Sequence, residues 1–443
     1  MTSRKIKLVV AGASMFLASC SLFSSDKTPL EGKRIEALDG ETYVKPDFVG
    51  GFQIKLPPEI ENIGWYQSGG SSEHKMPHLK SDGEFKKKWD ASFGDGTSKG
   101  EYLLASPVVA GRVVFVIDSE GLVSAFRIDD GKRVWKKKMT PSEKSLKDVS
   151  MKGAGIAVSL AQKRVFVTTG YGSVYALDIY TGKKIWRYDG EAPIRISPTI
   201  GGGMVIFQTI DNNLIALDSM SGKELWNFKT VGESTVLVGG ASPAYNLSRD
   251  VLIAAFSTGE VKAFKASTGS PLWSDYLISR NRVNTNANIN SINSNPIIDE
   301  DVIYAVGSNN VLVALDLRTG TRIWEKEIGS TNPMYVAGNA LYVLSNKLEL
   351  VALNKHNGEI VWSTRISAGK KLEKKVGAFA AGPILIDNKL IVATSNGYVF
   401  SINPYNGKIE ASTELGDGVE ISPVVAHGYV IFTTSDADLI AYR

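Results

Sequence analysis

Two histidines four residues apart, His74 and His78, are the pair whose type and spacing most suggest chemistry, because imidazoles one helical turn apart can share a metal. The flanking Gly69-Gly70-Ser71-Ser72 and Pro77 argue against the helix that would align them, and His356 and His427 belong to distant parts of the chain. No metal site is expected. Asp178, Asp218 and Asp316 recur like a carboxylate array, but each sits at the same place in a repeated turn, where a short acidic side chain caps backbone N–H groups. There is no Gly-x₄-Gly-Lys-Ser/Thr phosphate loop and no His-Glu-x-x-His sequence, and Gly170-Tyr-Gly172 and Gly201-Gly-Gly203 read as hairpin turns. Lys370, Lys371, Lys374 and Lys375 read as a solvated rim.

What recurs is a scaffold. The stretch Gly172-Ser-Val-Tyr-Ala-Leu-Asp-Ile-Tyr-Thr-Gly-Lys-Lys-Ile-Trp186 is matched closely by 212–226, ending at Trp226, and by 310–324, ending at Trp324. Looser copies end at Trp135, Trp273 and Trp362, and a decayed one runs from Gly397 to Ala411. The template is a strand ending in Ala-x-Asp, a Thr/Asn-Gly turn, and a short strand closing on Trp. Glycine suits a turn that needs a positive φ. The small alanine permits close packing, and tryptophan offers a large flat surface to wedge between neighbouring units.

A second strand pair precedes each copy, starting at Pro107, Pro198, Pro243, Pro296, Pro333, Pro383 and Pro423, with a proline-free version at Gly155. Successive turn glycines lie roughly 40–50 residues apart, the period of a four-stranded propeller blade. One such unit cannot bury its apolar face alone, so the units must stack, and closing the ring removes exposed ends. The last unit stops at Leu439-Ile-Ala-Tyr442, before any turn or Trp, while Phe85-Lys-Lys-Lys-Trp89 stands without partner strands. The expected fold is therefore all-β: an eight-bladed β-propeller over 81–443, with four antiparallel strands per blade, closed by pairing of N-terminal and C-terminal strands.

Bulk properties fit one large closed unit in a chain of 443 residues. The formal charge of +4 falls to about +1 without Arg4, Lys5 and Lys7, so no electrostatic case for nucleic acid remains. Those three residues, followed by the apolar run Leu8–Leu17, read as a signal peptide over 1–19. Leu17-Ala18-Ser19-Cys20 resembles the bacterial lipobox, which makes Cys20, the only cysteine, the expected lipidation site. Ser21, in place of the aspartate that retains lipoproteins at the inner membrane, points to the outer membrane and its periplasmic face. A single cysteine leaves no disulfide within the chain and no thiolate cluster. Residues 20–80 read as the anchor, a flexible tether and a docking segment, with Trp65-Tyr66-Gln67 expected on the outer surface of the propeller. Four connections depart from the template: the Asn-rich 279–295, a recognition loop or a solvated insertion; the Lys- and Ser-rich 140–151 and 368–376; and Val231–Gly240, which carries apolar residues into a loop and reads as an interaction surface or a buried extra strand.

The Ala-x-Asp-x-x-Thr-Gly-x-x-x-Trp template resembles the repeat of pyrroloquinoline quinone enzymes, but the acidic Ca²⁺-binding motif and vicinal cysteines of those dehydrogenases are missing. A fuller resemblance covers nearly the whole chain: the lipobox, Leu30-Glu-Gly-Lys-Arg-Ile35, Trp65-Tyr-Gln-Ser-Gly-Gly70, His78-Leu79 and the repeats are together similar to the BamB family, lipoprotein subunits of the outer-membrane β-barrel assembly (BAM) complex. That resemblance implies a periplasmic, non-enzymatic scaffold without a cofactor. Its implied partners are the POTRA domains of BamA, other BAM subunits, unfolded outer-membrane proteins, and the outer membrane through the lipid anchor. It also implies BamA contacts in two loops, here Thr235, Val236, Leu237 and Val238, and Ser291 with Asn293. Leu237 keeps a leucine the family uses. Val238 stands where better-studied members have arginine, and Ser291 and Asn293 replace two aspartates, so the apolar part of the contact is kept and the charged part is not. The alternatives are a quinone- and Ca²⁺-dependent dehydrogenase, or a periplasmic sensor or cell-wall-binding propeller. The repeat tryptophans Trp89, Trp135, Trp186, Trp226, Trp273, Trp324 and Trp362 are expected to be structural.

Overall fold

The computed structural model describes residues 44–47, 51–98, 100–141, 153–230, 239–278, 290–366 and 379–443. Every element among them is a β-strand, and the compact unit Val44–Arg443 is a β-propeller. In the sheet of Thr199–Gly201, Met204–Gln208, Leu214–Asp218 and Glu224–Phe228, neighbouring strands are antiparallel and the register aligns Ile206, Ala216 and Trp226. The same triad is Phe115, Ala125 and Trp135 in the sheet of 108–138, and Phe166, Ala176 and Trp186 in that of 154–189. A register shift directly after the alanine lets the tight turn close on glycine.

Each tryptophan joins its sheet to the next. The Trp89 Nε1–H donates to the carbonyl of Ile128 at 2.7 Å, that of Trp135 to Ile179 at 2.9 Å, and that of Trp186 to Ser219 at 3.1 Å. Trp226, Trp273, Trp324 and Trp362 repeat the bond, to Ala266, Leu317, Lys355 and Pro404. Each indole lies flat on the next sheet's turn glycine (Gly131, Gly182, Gly222, Gly269, Gly320, Gly358 or Gly407), where a Cβ would come within 2.7 Å of the ring. These glycines hold φ between 66° and 74°. They are glycine for two independent reasons, backbone conformation and the indole overhead.

The chain termini close the ring as the unpaired segments suggest. Lys87–Ser92 pairs antiparallel with Asp438–Tyr442, and Trp89 falls opposite Ala441, which completes the triad with Ile431. Seven sheets have the expected four antiparallel strands. The sheet of Ala380–Ile386, Lys389–Thr394, Tyr398–Ile402 and Ile409–Glu414 departs from the expectation of eight like blades, because it holds six strands. Its two extra strands, Ile60–Glu61 and Leu79–Lys80, come from the N-terminal segment and pair in parallel.

That segment also corrects the expectation for Trp65-Tyr66-Gln67. The cluster does not dock on the outer surface; Trp65 and Gln67 are each only 5% exposed. Residues 62–79 form a strap along the inner edges of the sheets, visiting them in chain order. Asn62 bonds Val425 and His427 of the closing sheet, Trp65 exchanges two backbone bonds with Val109, the Tyr66 carbonyl accepts from the Val158 N–H, and Gln67 accepts from the Ile200 N–H. The carbonyls of Ser72, Glu73 and Leu79 then accept from Tyr245, Ile298 and Asp387, and that of Pro77 from the Tyr335 hydroxyl. The innermost strand of each sheet has one free edge, and the strap lies against it.

Candidate functional site

Inside the strap lies an axial cavity of about 220 Å³, bounded by Trp65, His74 and Met76 of the strap and by residues that open the inner strands, among them Asn295, Pro333 and Glu420. His74 is buried, and its Nδ1–H donates to the Pro296 carbonyl at 2.9 Å. Burial pushes this imidazole down to about 4, so it is neutral, and its Nε2 has no partner among the described residues. Burial raises the Glu420 carboxyl above the usual range. His78 lies elsewhere: Nδ1–H donates to the Pro57 carbonyl at 2.8 Å, and Nε2 accepts from the Asn388 N–H at 3.0 Å. With both ring nitrogens of His78 engaged, the two histidines do not make a ligand pair. Among the described residues no group of three or more His, Cys, Asp or Glu side chains could hold a metal ion.

The cavity is also a poor match for pyrroloquinoline quinone. That cofactor is a tricarboxylate, and among the described residues the lining holds no lysine or arginine while presenting the acid Glu420. The repeated aspartates are turn caps, as their position suggests. Asp178 Oδ1 accepts from the Thr181 N–H at 2.9 Å and hydroxyl at 2.7 Å, Asp218 takes the same bonds from Ser221, and Asp316 from Thr319. Those hydroxyl bonds, with the backbone N–H groups, hold all three carboxyls below the usual range. Reading the sequence as free of a Gly-x-Ser-x-Gly elbow overlooks Gly96-Thr97-Ser98-Lys99-Gly100, which has that spacing. Its Ser98 is exposed and donates to Glu101 at 3.3 Å, and the described residues around it show no strand-to-helix turn of the kind an elbow requires.

Cys20 and the quartet Thr235, Val236, Leu237 and Val238 lie outside the described residues. The ends of the two flagged loops are described, and they adjoin. A Cβ on Gly239 would sit 3.6 Å from Asn293 Nδ2, and the Ser242 N–H donates to Asn295 Oδ1 at 2.8 Å. Within the second loop Ser291 is 3% exposed, and its hydroxyl donates to Asn293 Oδ1 at 2.6 Å. Its carbonyl accepts the Ser308 N–H at 3.1 Å and hydroxyl at 2.8 Å. Ile292 is buried in the core. Ser291 is thus an internal brace of the loop, and Asn293, half-buried at the rim of the axial cavity, is the more accessible of the two. Asn295 was not singled out by sequence reasoning. It ties the loops to the strap by donating to the Ser68 hydroxyl at 2.8 Å.

A strapped propeller of Ala-x-Asp and Trp repeats, with no cationic seat for a quinone among the described residues of its axis, defines a protein of the PQQ-like repeat class. The profile of the family described as outer membrane protein assembly factor BamB matches residues 119–364, and the chain belongs to that family. The outer membrane protein assembly factor BamB of Yersinia pestis is 26% identical over 371 residues, which is 83% of this chain and 91% of that protein. Among solved structures, BamB from Moraxella catarrhalis shares the fold with a TM-score of 0.68 at 18% identity, over 81% of this chain and 100% of that one. A quinohemoprotein alcohol dehydrogenase from Comamonas testosteroni scores 0.67 at 14% identity, over 86% and 80%. At such identities both structures speak for the fold alone.

Proposed function

We propose that this protein is a non-enzymatic scaffold subunit of the outer-membrane protein assembly machinery, binding BamA through its POTRA domains and assisting delivery of unfolded β-barrel proteins. The observation that carries this reading is the family match over 119–364, on a propeller whose inner strands are bridged by its own strap. In this reading the six-stranded sheet is the eighth blade of a closed ring, with two strap strands added to its inner edge. Cys20 carries the lipid anchor and holds the propeller at the periplasmic face of the outer membrane. Val236 and Leu237 supply the apolar anchor for BamA, and Asn293, braced by Ser291, supplies the polar contact beside them. The adjoining ends of the two loops support a single contact surface. The test is co-purification of BamA with the tagged protein from detergent-solubilised outer membranes. Changing Val236 and Leu237 together to Asp abolishes co-purification with an unaltered thermal transition, while retained BamA removes the assignment. The dehydrogenase alternative requires saturable uptake of the quinone with Ca²⁺ in equilibrium dialysis.

A further inference from the structure

One joint of the ring is built differently from the rest. In the sheet ending at Ile409–Glu414 the register aligns Ile391, Ser401 and Ala411, the places held elsewhere by an aromatic or aliphatic residue, alanine and tryptophan. Ala411 removes the indole. The turn glycine that an indole would cover is also gone, because two separate chain segments, Gly83–Phe85 and Tyr442–Arg443, meet where the closing sheet would have its tight turn. What remains is a cavity of about 310 Å³ between the sheet ending at Ile409–Glu414 and the segment 81–85 leading into the closing strand, with Ile391, Val399, Ser401 and Ala411 on one wall, Phe85 on the other, and Glu84 and Lys389 also lining it. Phe85 is held back from it by stacking on Tyr442, with ring centroids 4.9 Å apart. The Ser401 hydroxyl is buried without a partner among the described residues. Ala411 is exposed, so the slot opens to solvent, and Ile409–Glu414 is the last strand of its sheet, with one edge unpaired there.

We propose that this slot is a binding site for an aromatic side chain, carried by an extended segment of a partner polypeptide that runs along the free edge of Ile409–Glu414. Seven joints of the same ring show what such a space between sheets accommodates, namely an indole. The walls Ile391, Val399 and Phe85 offer apolar contact to the ring faces, and the Ser401 hydroxyl accepts from a ring N–H or phenolic O–H. Backbone pairing along the edge supplies affinity, and the slot supplies selectivity for aromatic side chains. The site stands on this geometry alone and does not require that the protein bind BamA.

The experiment uses the full chain in detergent micelles, methyl-labelled at Ala, Ile, Val and Thr. The probes are two blocked nine-residue peptides of alternating Thr and Val, one with Trp and one with Ala at the centre. The Trp peptide shifts the methyls of Ile391, Val399 and Ala411 and binds about tenfold more tightly than the Ala peptide, the order expected for one buried aromatic contact. Ala411→Trp fills the slot from its own strand and abolishes the preference. Ala411→Met, which fills the space without demanding one ring geometry, abolishes it too and keeps the test valid should the Trp variant misfold. Equal affinity of the wild type for the two peptides, the absence of shifts at those methyls, or a preference retained in a folded filling variant overturns the proposal.

Discussion

Replacing Gly222 by alanine tests whether the indole-on-glycine contact is what joins one sheet to the next. Gly222 has φ +74°, and an added Cβ would meet Trp186 Cδ2 and Cε3 at 2.7 Å. The left-handed conformation costs an alanine about 1 kcal/mol. Forcing a methyl under a packed ring costs a further 1–3 kcal/mol or so. The ring has little freedom to retreat, because Trp186 is 8% exposed, bonded to Ser219 and packed 5.9 Å from Phe166. Gly222→Ala is therefore expected to destabilise by about 2–4 kcal/mol. Trp186→Ala alone should cost about 3–5 kcal/mol. In that background the methyl meets no ring, so the same glycine change costs only the conformational part, about 1 kcal/mol. The double-mutant cycle then shows a less-than-additive coupling of about 1–3 kcal/mol. Gly203 is the internal control: it has φ +78° but open space around a Cβ, and Gly203→Ala should cost about 1 kcal/mol. Urea unfolding followed by far-ultraviolet circular dichroism measures all four variants. Equal costs for Gly222→Ala with and without the Trp186 ring would refute the reasoning.

Three further outcomes follow from the described contacts. His74 has its folded value lowered by burial to about 4 from 6.5, so its contribution is fully present above pH 6.5 and is lost as pH falls towards 4, by about 3 kcal/mol below that; urea midpoints at pH 7 and pH 4 should differ less in His74→Gln than in the wild type. Asp299 is nearly inaccessible and pairs with Lys75 and Lys355; burial works against its ionisation, but the two ammonium groups prevail and hold the carboxyl below the usual range. Asp299→Asn strands both cations and should cost about 3 kcal/mol in urea, at the lower end for a broken buried pair because Lys75 is a third exposed. The amides of Ile409–Glu414, which lacks an indole clamp, should exchange with deuterium faster than those of Glu224–Phe228, and slower exchange would remove the weak joint argued above.

The repeats were legible because their signals are local. A strand alternation, an Asp cap, a turn glycine and a Trp lie within fifteen consecutive residues, and each has a physical reason to be where it is. The closing pair was legible for the same reason, since Phe85–Trp89 and Leu439–Tyr442 each hold half of one template. The strap was not. Residues 62–79 carry no period because they bond mainly through backbone groups to edges that exist only once the sheets have been arranged. For that reason the sequence alone suggests an outer-surface position for Trp65. The spacing of His74 and His78 likewise carried no information on partners, which come from Pro296, Pro57 and Asn388. Ser291 illustrates the limit of carrying a contact over by position, because its hydroxyl is turned inward onto Asn293 Oδ1.

The strap also decides which edges of the molecule are open. By bonding to the innermost strands it removes the axial edges from use, so backbone groups left for an incoming strand belong to the outermost strands. Most of these are defended. Arg133–Lys138 reads Arg-Val-Trp-Lys-Lys-Lys and is almost wholly exposed, and Lys87–Ser92 brings two more lysines; charge of this kind on an edge opposes strand addition. Ser270–Tyr276 carries Pro271, which cannot donate to a ladder. Ile409–Glu414 has neither lysine nor proline and is the outermost strand without an indole tying it to its neighbour. The loss of the tryptophan and the openness of the edge thus have one origin. Where the two ends of the chain meet there is no continuous turn to pack against, so an indole at 411 would have no glycine beneath it, and the position is left without its clamp.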